Sequence, residues 1–75
     1  MAGMSLGGIV RTEPSMSSPK LMSLTEKSGI TLMERAGTMD GYDWFKIEFH
    51  GRIGYQWGGI MCSDQAISGI LQKCE

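Results

Sequence analysis

Apolar residues occur along this chain in short runs with strand-like alternation, broken by glycine, proline and serine. Gly8-Ile9-Val10-Arg11 reads as a first short strand that stops before Pro14. Thr12 to Pro19 holds both prolines and four hydroxyl side chains, the chemistry of an irregular exposed loop. Leu21-Met22-Ser23-Leu24 and Ile30-Thr31-Leu32-Met33-Glu34 supply two further runs, the second with Ile30 and Leu32 on one side, and Lys27-Ser28-Gly29 forms the turn between them. A turn rich in glycine and aspartate, from Ala36 to Gly41, leads into Trp44-Phe45-Lys46-Ile47-Glu48-Phe49. There Phe45, Ile47 and Phe49 share one face, as a half-buried strand requires.

His50-Gly51 follows and reads as the centre of a two-residue hairpin. That reversal fixes a register: Phe49 opposite Arg52, Glu48 opposite Ile53, Ile47 opposite Gly54, Lys46 opposite Tyr55, Phe45 opposite Gln56 and Trp44 opposite Trp57. Facing side chains project from the same surface. Gly54 then lies on the core side with Ile47, where a missing side chain allows close packing, and Trp44, Trp57, Tyr55 and Ile53 gather on the outer surface. After Gly58-Gly59, Ile60-Met61-Cys62 forms a last short strand. Ile67, Ile70, Leu71 and Cys74 recur at helical spacing behind Ser63-Asp64, predicting a short C-terminal helix in which Gly69 costs about 1 kcal/mol relative to Ala. The chain thus divides into a flexible leader over residues 1–7, a mostly β domain over 8–62, and a tail over 63–75 with helical character.

Composition narrows the class. Seventy-five residues close only one small core, and eleven glycines among short apolar runs favour strands joined by tight turns. No apolar stretch reaches membrane length, so no membrane insertion is expected. A formal net charge of -1, with the charges scattered, offers no basic stripe for nucleic acid. The first eight residues show neither the cationic start nor the continuous apolar segment of a secretory signal. Cys62 and Cys74 are the two cysteines. Bridged, they imply an oxidising, extracytoplasmic setting such as the periplasm or cell envelope; unbridged, they are two thiols of a cytoplasmic protein, and the sequence leaves both open.

The chemistry of an enzyme is missing from the pattern. His50 sits in a tight turn without an acid and nucleophile around it, and Asp40, Asp43, Glu34 and Glu48 read as solvated carboxylates. A metal site would have His50 as its one imidazole. Gly7-Gly8 and Gly58-Gly59 lack the glycine spacing and following helix of a phosphate cradle. No cofactor and no catalysis are expected. The methionines beyond Met1 and Met4 read as gap-fillers.

The succession Val10-Arg11, Pro14-Ser15, Leu21, Leu24, Ile30, Leu32, Trp44-Phe45-Lys46-Ile47, Gly51, Gly54-Tyr55 and Ile60-Met61 resembles the bacterial Src-homology-3 (SH3) domain family. The segments Gly41 to Ile47 and Gly51 to Tyr55 are its most specific part. The resemblance implies an all-β, five-strand, partly open barrel and a noncatalytic binding module. Trp44 looks like the family's groove tryptophan, with Trp57 in the place of a groove proline and Ile60 in that of a groove tyrosine. Three positions depart from the family. Lys27 stands where a turn glycine is usual, with Gly29 a candidate to compensate; Gln56 stands where an aliphatic core residue is expected; and the loop after Arg11 lacks the tyrosines and dense acidic residues of a proline-peptide groove. The candidate ligand-binding residues are therefore Trp44, Tyr55, Trp57, Ile53 and Ile60, for a peptide, a peptidoglycan fragment or a partner protein. The alternative is a structural unit that self-associates through the same surface or by strand exchange.

Overall fold

A computed structural model describes residues 1–74; Glu75, the last residue of the expected tail, lies outside the described residues. The strands are β1 (Ala2–Ser5), β2 (Gly8–Arg11), β3 (Lys20–Leu24), β4 (Ser28–Met39), β5 (Tyr42–Phe49), β6 (Arg52–Trp57), β7 (Met61–Ser63) and β8 (Gln72–Lys73). They form one sheet in the order β3-β2-β6-β5-β4-β1-β7-β8, antiparallel except for the parallel pair β7 and β8. The sheet is not closed, and β3 and β8 are its edges. A single 3₁₀ turn, Gly58–Ile60, joins β6 to β7, and no described helix is long and apolar enough to cross a membrane.

The hairpin at His50 and Gly51 forms in the register expected from the sequence, from Phe49 opposite Arg52 to Trp44 opposite Trp57. Both turn residues are left-handed, with φ of 49° at His50 and 80° at Gly51, the conformation that matches the twist of the flanking strands. The same chemistry recurs at Asp40 and Gly41, which bring Met39 opposite Tyr42. The turn expected over Ala36 to Gly41 therefore shrinks to two residues, and β4 runs on to Met39. Its pairing with β5 shifts register between Leu32 and Glu34 and again between Arg35 and Gly37. Such bulges bend a strand, and β4 uses the bend to pair with β1 through Ser28–Thr31 and with β5 from Thr31 onward.

Strands distant in the sheet order consequently meet in one core of Val10, Leu24, Ile30, Leu32, Phe45, Ile47, Met61 and Ile70. Gly54 faces that core opposite Ile47, as expected. A Cβ there would come within 2.6 Å of Val10 and 2.9 Å of Leu21, so the bare backbone is what lets β2 and β3 close over β6.

Four expectations are corrected. Residues 2–5 of the expected leader are a strand, held between β4 and β7, because Met4 pairs with Gly29 on one side and Cys62 on the other. Lys27 itself takes the left-handed turn conformation, at φ 65°, while Gly29 lies within β4, so no compensating glycine is used. The methionines are not all gap-fillers: Met61 is fully buried, whereas Met16 and Met33 are at least half exposed. Finally, among the described residues the C-terminal helix does not form.

In its place the tail makes turns and β8, since its backbone groups are claimed by partners far away in sequence. Asp43 N–H donates to Gly69 O at 2.9 Å, Leu71 N–H to Gly58 O at 3.0 Å, and Cys74 N–H to Ser63 O at 2.8 Å. Arg35 donates through Nη2 to Ser68 O at 3.0 Å and through Nε to the Asp43 carboxylate at 2.9 Å, which also accepts from Thr38 Oγ1 at 2.8 Å. Gly69, at φ 87°, seats its Cα against that carboxylate, 2.3 Å from where a Cβ would lie. Ile67 and Ile70 still reach the core, by irregular chain rather than by helical phase. Cys62 and Cys74 are joined in a disulfide whose sequence separation is 12. Closing a loop of that size contributes about 3 kcal/mol. Replacing both cysteines by serine is expected to lower stability by that amount in urea denaturation and to lower Tm by roughly 10 °C or more in a thermal melt.

Candidate functional site

The outer face of the sheet is organised in cross-strand rows. One row runs Gly37, Trp44, Trp57; the next runs Glu34, Lys46, Tyr55, Arg11; a third runs Thr31, Glu48, Ile53. The first row opens into an apolar groove of about 340 Å³, lined by Gly8, Ile9, Arg11, Met16, Trp44, Trp57 and Ile60. That volume falls at the lower end of the range for small-molecule pockets. Smaller depressions of about 170 Å³ over Phe45 and about 270 Å³ beside Cys62 lie elsewhere.

Each wall has a local cause. Strand alternation puts Val10 into the core, so Ile9 and Arg11 must point to the opposite side, into the groove. Trp57 is held in place three ways. Its Nε1–H donates to Met39 O at 2.8 Å, Tyr42 meets it edge to face at 5.4 Å between centroids, and its six-membered ring lies close against Gly59. A Cβ on Gly59 would sit 2.4 to 2.8 Å from that ring, so the ring position depends on glycine there. Ile60 enters from the 3₁₀ turn, anchored by Leu6 N–H donating to Ile60 O at 2.8 Å, and packs over Gly8. The Thr12 to Pro19 loop delivers Met16, which is 57% exposed. The loop is closed by Arg11 Nη1 donating to Ser18 O at 2.7 Å and by Ser18 Oγ donating to the carbonyls of Ser15 and Glu13.

Of the five ligand-binding candidates, Trp44, Trp57 and Ile60 come together in the groove, while Tyr55 and Ile53 do not. Tyr55 lies in the next row between Arg11 and Lys46, and Ile53, 49% exposed, lies one row further along the twisting sheet. Trp44 is corrected from an exposed contact to a buried floor residue, only 3% exposed. The two ends of the chain leave the groove open: β1 is inside the sheet, and Ile67 packs at the Phe45 end of the core. Ile9, Arg11 and Met16 were not singled out in the sequence. The alternation of Ile9 and Arg11 with Val10 was visible, but their meeting with Trp57 depends on β2 lying next to β6, and Met16 arrives from the loop.

Gln56 is fully buried behind this face, opposite Phe45. Strand β2 pairs with β6 only where Arg11 meets Tyr55, and the Gln56 side chain fills the gap beyond, donating through Nε2 to Gly7 O at 3.4 Å. Its Oε1 has no partner among the described residues. Among the described residues no three His, Cys, Asp or Glu side chains cluster closely enough to hold a metal ion. His50 lies stacked on Phe49 at 4.1 Å between centroids, away from the groove.

No family model, curated protein or solved structure matches this chain. The walls of the groove are apolar and aromatic, with one guanidinium at the margin. What such a surface does is exclude water from apolar groups and orient them by aromatic contact. The burial of Trp44 predicts that Trp44→Ala costs about 3–5 kcal/mol. That is a large share of the ~5–10 kcal/mol available to a domain of this size, so thermal melts followed by circular dichroism should show loss of the fold and not merely of a contact.

Proposed function

We propose that this chain is a noncatalytic recognition module of the bacterial SH3 type, which takes up a short peptide or a cell-wall peptide fragment in the groove between the Thr12 to Pro19 loop and the Gly58–Ile60 turn. The observation that carries the proposal is the open apolar groove of about 340 Å³ with Trp57, Ile60, Ile9 and Met16 on its walls. Large apolar patches on small soluble domains mark contacts, and rigid aromatic side chains lose little entropy when a ligand binds. Five strands in the order β6-β5-β4-β1-β7, with a bent β4 shared between the two halves, support an SH3-like barrel, with β2 and β3 as an added hairpin. The Cys62 to Cys74 bridge supports an extracytoplasmic setting.

A second reading, self-association, is favoured by one feature: the sheet keeps free edges, and β3 pairs on one side only. Size measured by light scattering across a concentration series separates the two. The recognition reading expects a monomer at all concentrations, and a dimer whose formation perturbs β3 would replace it.

Titration of the protein with muropeptides and with proline-rich and apolar peptides, followed by amide and indole chemical shifts, is expected to move the Trp57 indole, Ile9, Met16 and Ile60. Ile9→Thr and Met16→Ala, both at exposed positions, should weaken binding by about 3- to 30-fold while leaving the circular dichroism spectrum intact. Shifts confined to the Phe45 end of the core would place the site elsewhere. Thiol counting on unfolded, nonreduced protein made under native redox conditions is expected to find no reactive thiol; two would contradict the extracytoplasmic assignment.

A further inference from the structure

The groove has a charge as well as a shape. Arg11 is the one charged residue lining it, and among the described residues no carboxylate comes within ion-pair distance of its guanidinium. The acidic groups nearby are otherwise placed. Glu34 is 3.9 Å from Lys46 in the row that Arg11 shares, Asp43 is held by Arg35 and Thr38, and Glu13, exposed in the adjoining loop, forms no ion pair. Lys46 and Arg11 face Tyr55 from opposite sides, but Lys46 lies outside the groove beside Glu34, so Arg11 supplies the positive charge at this margin. The guanidinium is also held in position: Nη1 donates to Ser18 O at 2.7 Å, which leaves Nε and Nη2 to a ligand. A half-buried, pre-positioned arginine beside apolar walls matches a carboxylate lying next to an apolar anchor, through charge-assisted hydrogen bonds.

Resting on the recognition reading above, we infer that the groove selects an extended acidic and apolar peptide segment: an aliphatic or aromatic side chain seated between Trp57, Ile60 and Ile9, with an Asp or Glu side chain of the same segment on Arg11. The source is an internal segment of a partner protein rather than a chain terminus. Capture of a terminal carboxylate uses a nest of backbone N–H groups, and this groove presents a single guanidinium with one arm engaged. Electrostatic complementarity of this kind decides which peptide is preferred more than how tightly any peptide is held.

The test uses three matched pools of acetylated, C-terminally amidated hexapeptides, with two positions randomised among Leu, Ile, Phe and Pro and a third fixed as Glu, Gln or Lys. Binding is followed by chemical shifts of Trp57 and Ile60. The Glu pool is expected to bind about 5- to 20-fold more tightly than the Gln pool at low salt and the Lys pool more weakly still, with the Glu to Gln ratio shrinking as salt is raised. Arg11→Gln should bring that ratio to about one, and Arg11→Lys should keep part of it; circular dichroism checks that both variants remain folded. Equal binding of Glu and Gln pools by the wild-type protein would overturn the acidic selectivity and leave the groove as a binding site. Absence of any shift at Trp57 and Ile60 with all three pools, together with none from muropeptides, would overturn the groove reading and this inference with it. An α-carboxylate source is exposed by a fourth arm, the Gln pool with free C-termini: if it matches the Glu pool, the commitment to a side-chain carboxylate fails.

Discussion

Everything in this molecule depends on the tight reversal at His50 and Gly51. Two consecutive left-handed residues set β5 and β6 side by side without slippage, and a slip of one residue would exchange Phe45 and Ile47 for Trp44 and Lys46 on the core side. With the register held, Ile47 and Gly54 face inward, β2 and β3 close over the bare Gly54 backbone, and the Trp44 and Trp57 row is turned outward. The core and the groove are two faces of the same hairpin.

The groove is supported from behind by a part of the chain that does not line it. Asp43 precedes Trp44 and Gly58 follows Trp57, and both are hydrogen-bonded through their backbones to the tail, at Gly69 and Leu71. Arg35 ties the Asp43 carboxylate to Ser68, and the disulfide returns the end of the tail to β7. A fold of this size has few interior positions, so one covalent closure and a handful of long-range hydrogen bonds do what a second layer does in a larger domain.

Gln56 is a buried polar side chain placed where two neighbouring strands separate. Where β2 diverges from β6, Gln56 Nε2 adds a second donor to the Gly7 carbonyl, which also accepts from Ser5 Oγ at 3.3 Å. The divergence is what opens space for Ile9 and Ile60 to face Trp57. The amide orientation is set by the same contact, since Oε1 turned toward Gly7 O would place two acceptors together.

Unlike β1 and β8, the strands from β2 to β7, the two-residue reversal, the β5 and β6 register and the close-packing role of Gly54 were legible in the residues. They follow from alternation and from the left-handed turn chemistry of neighbouring positions. The helical spacing of Ile67, Ile70 and Leu71 was real but misleading, because the amides and carbonyls that a helix would pair locally are taken by Asp43, Gly58 and Ser63. The leader and the exposed Trp44 failed for a related reason: Ala2–Ser5 gains its place only between β4 and β7, and Trp44 is covered only once β2, the loop and the 3₁₀ turn surround it. Sequence alone determined the central hairpin and the strands whose alternation and turns are local; the fate of the two ends, which edges meet, and so which side chains share a groove, was decided by hydrogen bonds and burial between residues remote along the chain.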